Sequence, residues 1–155
     1  MESATLIFRN EKDIVMHIAA LVRIAMADGK FLDSEKAFIT NSASLYAGAY
    51  GTKAFDKMVD ETIPDLPKSA LDEWMASLSD RPVEARNLIK DMIALAHVDG
   101  EYCTAEQQEI RRTADKLKVK KLDVAGLEKS LLDLLETTQK LQAIIECGCS
   151  EVRKE

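Results

Sequence analysis

Apolar residues recur along this chain with the period of an α-helix, and nowhere does the strict alternation of a half-buried strand persist. Ile14, Ile18, Leu21, Val22 and Ala25 make one stripe, and Gly29 is placed to stop that helix in a left-handed conformation. Asp33 or Ser34 can cap a second helix that reaches about Tyr50. A short helix is expected over 53–62. Pro67 suits the first turn of a fourth, through Leu71, Trp74, Met75 and Leu78. The SDRP stretch at 79–82 reads as a stop and restart, with Asp80 as cap and Pro82 inside the first turn. A fifth helix carries Ala85, Leu88, Ile89, Met92, Ile93 and Ala96 and ends by Gly100, and Thr104 and Gln107 have the spacing of a capping box opening a sixth.

A seventh helix is predicted from about Asp123 to Cys147. Its Leu127, Leu131, Leu134, Thr138, Leu141 and Ile145 are spaced 4-3-4-3-4, too short a run for a self-sufficient coiled coil. That seam either packs on the core or joins two copies as a homodimer. The pattern therefore predicts an all-α fold of about seven helices in one domain over 1–155. Its parts are a first hairpin at 14–50, a helical insert at 51–81, a second hairpin at 82–122, and a C-terminal helix and tail at 123–155.

The two hairpins repeat one another. At an offset of 71 residues, positions 18–39 and 89–110 share Ile18/Ile89, Ala25/Ala96, Asp28/Asp99, Gly29/Gly100, Glu35/Glu106 and Ile39/Ile110. Each copy thus carries Asp-Gly-x5-Glu at its turn. Helical architecture accounts for the glycines and apolar positions but not for the aspartates, which fall where the helix dipole is negative and an acid is disfavoured by about 0.3–1 kcal/mol.

Two accounts stand. In one, each Asp accepts N–H bonds from its own turn and each Glu sits in the favourable first turn of the next helix. In the other, Asp28, Glu35, Asp99 and Glu106 converge on a divalent cation such as calcium, magnesium or manganese, which relieves their mutual repulsion. A lone EF-hand loop is excluded, because Ile24 and Met26 in one copy, and Leu95 and His97 in the other, occupy the positions that need acids.

A net charge of −6 disfavours nucleic acid as a partner. The basic run RRTADKLKVKK at 111–121 reads as a solvated helix face followed by a loop. No apolar run approaches the roughly 20 residues of a membrane span, and the first residues lack the plan of a secretory signal, so a cytoplasmic chain with reduced thiols at Cys103, Cys147 and Cys149 is expected. Cys147 and Cys149 alone do not make a tetrahedral zinc site. His97 could act as a base on Cys103, but no third, orienting residue presents itself, and no catalytic or phosphate-binding motif occurs.

The stretches LVRIAMADGKFLDSEKAFI and DMIALAHVDGEYCTAEQQEIRRTADKL, separated by a helical insert ending in SLSDRPVEA, resemble the tellurite-resistance TerB family over roughly 14–122. The resemblance implies a seven-helix domain of paired hairpins. It places the family's acidic turn positions at Asp28, Glu35, Asp99 and Glu106, as metal or interaction sites without an established reaction. It also implies bacterial stress-response partners; related domains stand beside J-domains in membrane-linked co-chaperones. Thr104, where the first copy has Asp33, makes the second turn less acidic. The expectation is a non-enzymatic module of tellurite resistance or metal stress. A pure interaction scaffold is the alternative, and a metal-dependent hydrolase a third.

Overall fold

The computed structural model describes residues 11–26, 32–49, 66–98 and 102–149. Among them run six α-helices: α1 Glu11–Ala25, α2 Asp33–Ala49, α3 Lys68–Ser77, α4 Pro82–Ala96, α5 Thr104–Lys116 and α6 Lys121–Cys147. A 3-10 turn, Leu78–Asp80, joins α3 to α4, and no described residue lies in a strand. The fold is the expected all-α bundle. The short helix expected over 53–62 lies outside the described residues.

α4 is the central element, in contact with α1, α2, α5 and α6. It buries Ala85, Leu88, Ile89, Met92, Ile93 and Ala96, and also Leu95. A helix apolar around so much of its circumference must be enclosed by others. α1 packs against it and buries Ile14, Ile18, Leu21 and Ile24 together with the short side chains of Ala19, Ala20 and Ala25. Ile39 and Ala43 of α2, Leu71, Trp74 and Met75 of α3, and Ile110 and Ala114 of α5 complete one contiguous core.

The repeat is visible in the helix bounds. α1 and α4 begin at Glu11 and Pro82 and end at Ala25 and Ala96, while α2 and α5 begin at Asp33 and Thr104. Each pair is related by the same 71 residues that align the sequence.

Several helix starts differ from the sequence expectation by one or two residues. Asp33 is already the first residue of α2. Pro67 precedes α3 in extended conformation instead of entering its first turn. Arg81, not Asp80, is the residue before α4, because Asp80 is used in the 3-10 turn; Pro82 then opens the helix with a pre-set φ. At α5 the capping box is Cys103 with Glu106, one residue ahead of Thr104 and Gln107. Thr104 is already helical there, and the Gln107 amide reaches the Tyr102 carbonyl at 2.8 Å instead.

α5 ends without glycine. Lys118 adopts a φ of 59°, and the N–H of Val119 bonds to the Ala114 carbonyl at 2.9 Å, which turns Leu117 and Val119 into the core. The basic run is therefore a helix end and a turn that carries two core residues. α6 then lies along α4 and α5. Val124 is buried and Leu127 and Leu131 pack against the core, but Leu134, Leu141 and Ile145 of the same seam are exposed.

Candidate functional site

The acidic turns are described in part. Asp28 and Asp99 lie outside the described residues. Glu35 and Glu106 are each the third residue of their helices, and each accepts a backbone N–H from three residues earlier. Leu32 N donates to Glu35 Oε1 at 3.4 Å, and Cys103 N donates to Glu106 Oε1 at 3.2 Å. A carboxylate in a helix's first turn satisfies an N–H and meets the positive end of the dipole, which explains why a Glu stands here in both copies. Glu35 is buried and Glu106 half-buried. Among the described residues no group of three or more His, Cys, Asp or Glu side chains is arranged to hold a metal ion.

Two buried polar networks went unforeseen. In the first, His17 Nε2 of α1 donates to Asp91 Oδ2 of α4 at 2.8 Å, and the Tyr46 hydroxyl of α2 donates to the same oxygen. Lys90 Nζ lies 2.9 Å from Asp91 Oδ1, and the His17 and Tyr46 rings meet edge to face at 5.4 Å. Burial pushes the Asp91 carboxyl upward, but the His17 hydrogen bond and charge, with Lys90 and Tyr46, outweigh it and hold it below the usual carboxylate range. Burial, then the Asp91 charge, pushes the Tyr46 hydroxyl up. The three helices are thereby pinned to one carboxylate.

In the second network Arg81 holds two acids. Its Nη1 lies 2.9 Å from Asp13 Oδ2 and 3.1 Å from Glu84 Oε2, and Trp74 Nε1 donates to Asp13 Oδ1 at 2.9 Å. Asp13 and Glu84 are both buried, both in the first turn of their helices, and 71 residues apart. Carrying the sequence alignment five residues further back pairs them. His17 and Asp91 left no such signal, because their repeat counterparts, Leu88 and Ala20, are apolar.

Elsewhere, Tyr102 donates to Glu128 Oε2 at 2.7 Å and Arg111 Nη2 lies 3.3 Å from Glu128 Oε1, which clamps α5 to α6. Burial first and then Glu128 push the Tyr102 hydroxyl up. The His97 ring lies 4.7 Å from that of Tyr102, and no hydrogen bond joins it to Cys103 among the described residues. Cys103, Cys147 and Cys149 are free, exposed thiols. A cavity of about 390 Å³ opens beside Asp13, Trp74 and Arg81, and one of about 290 Å³ lies between α5 and α6, lined by Ala114, Val119 and Val124.

A bundle of two pseudo-repeated helical hairpins, with glutamates tied to the starts of two helices and polar side chains buried between its helices, is an all-α module of paired hairpins. Residues 52–129 match the family described as tellurite resistance protein TerB, about half of the chain, and the chain belongs to that family. The matched stretch contains Asp99 and Glu106, while Asp28 and Glu35 precede it. No curated protein and no solved structure matches it. No described helix is long and apolar enough to cross a membrane.

Proposed function

We propose that this chain is a cytoplasmic binding module of bacterial tellurite resistance or a related metal-stress response, which works by holding a divalent cation and a protein partner and not by turnover. Membership of the TerB family supports the setting. The chemistry rests on Asp28, Glu35, Asp99 and Glu106, four hard oxygen donors suited to calcium, magnesium or manganese. One observation carries the reading. Glu35 and Glu106 occupy equivalent places, each oriented by the backbone N–H of the residue three before it.

The same two hydrogen bonds favour a second reading, a protein-interaction scaffold whose acids only secure helix starts. Thermal melting in calcium, magnesium or manganese separates the two. At a hundredfold excess over the dissociation constant, an ion bound to the folded state alone adds about 2.7 kcal/mol. Asp28→Asn with Asp99→Asn should abolish that response, while ion-free stability falls by no more than a lost cap, about 0.5–2 kcal/mol. If no divalent ion at millimolar concentration shifts the melting temperature, the cation reading fails and the scaffold reading stands.

A further inference from the structure

The seam of α6 changes neighbours partway along the helix. Through Val124, Leu127 and Leu131 it packs on the core. At 100° per residue, Leu134, Thr138, Leu141 and Ile145 lie on the same side. There they are uncovered, with Leu134 60%, Leu141 58% and Ile145 68% exposed. Leu135 and Ile144 widen the stripe and are exposed as well. Lys129, Asp133, Glu136 and Lys140 follow one another at 4-3-4 spacing on the opposite side, so between 130 and 145 every charge is turned away from the seam.

We propose that this half of α6 pairs with the same half of a second copy, antiparallel, about a twofold axis near residue 139. Leu134 then meets Ile145 of the partner subunit, and Leu141 meets Thr138 of the partner subunit. Each contact occurs twice, as an isologous interface requires. Antiparallel packing follows from what the seam already does. Over its first turns it faces its own bundle, so a parallel partner continuing along it collides with that bundle. An antiparallel partner runs only along the projecting part, residues 132–147, about 24 Å at 1.5 Å per residue.

Area and charge both favour a second copy. The uncovered leucines and isoleucines present roughly 500 Å² of apolar side chain, within the range of the largest patch on a typical monomer. Two such patches face to face remove roughly 1,000 Å², the threshold for a specific interface. The chain carries a net −6, yet between 130 and 145 the seam itself is uncharged, so copies can meet there without like charges in contact. The far side bears two acids and two lysines, without the basic excess by which an interfacial helix holds an anionic membrane.

Sedimentation equilibrium of the full chain tests this. The mass should rise from 17.2 kDa toward twice that value as concentration increases from low to high micromolar. Leu134→Lys with Leu141→Lys should weaken association at least tenfold while the circular-dichroism spectrum persists, since both side chains are solvent-facing. Thr138→Leu, which makes both central layers of the seam wholly apolar, should tighten it several-fold. A wild-type mass fixed at 17.2 kDa, or a double-lysine variant that dimerises as well as wild type, overturns the proposal. Flotation with phosphatidylcholine–phosphatidylglycerol vesicles without self-association overturns it in favour of a lipid surface. A Cys147–Cys147 disulfide formed readily under diamide overturns the antiparallel arrangement, which keeps the two helix tips apart.

Discussion

Asp91 accepts hydrogen bonds from His17 and Tyr46 and an ion pair from Lys90, so one carboxylate organises side chains from three helices. Asp91→Ala removes the shared acceptor and leaves His17, 1% exposed, without it. The expected loss is about 3–5 kcal/mol, the size seen when one member of a buried charged pair is deleted, and urea unfolding measures it. The same residue sets an acid limit. Its folded pKa lies below the ordinary carboxylate value of about 3.9, so the stability it contributes is fully present above that value and is lost as pH falls through the lower folded pKa. Stability measured from pH 7 downward should therefore decline most steeply below about pH 4. Asp91→Asn, with nothing there to protonate, should show a shallower decline over the same interval.

Between elements, Arg81 has a comparable role. It stands at the junction of the 3-10 turn with α4 and binds Asp13 at the start of α1 and Glu84 at the start of α4. Arg81→Ala removes the cation shared by two buried acids, Asp13 and Glu84, and should cost about 3–5 kcal/mol in urea. Arg81→Lys should recover only part, because a single ammonium cannot reproduce the guanidinium fork. The helices were legible in the sequence, since each carries an apolar stripe of 3.6-residue period and α4 and α5 are bounded by Pro82 and by the turn before Thr104. The starts slipped by a residue or two wherever several candidate caps stood together, as at Asp33 and Ser34 or Cys103 and Thr104, because choosing among them depends on backbone angles that composition does not set. Glu35 and Glu106 were legible as a pair through their offset. His17, Tyr46 and Asp91 were not, since a polar residue within an apolar stripe announces neither its partner nor the distant helix that supplies it.

At the scale of the whole molecule, α6 divides into a part that completes the core and a part that does not. A chain ending at Leu131 retains Val124, Leu127 and Leu131, so it should fold with an unchanged melting temperature at low concentration and show no self-association. Loss of cooperative melting in that chain would mean that the projecting half contributes to the core after all. Arg81 carries a further consequence for the duplication itself. A counter-charge for Asp13 is encoded 68 residues downstream, at the last residue before the second hairpin. The start of α1 and the entry to α4 are thereby tied by one guanidinium, so the two repeats are joined by charge at their starts as well as by the apolar core between them.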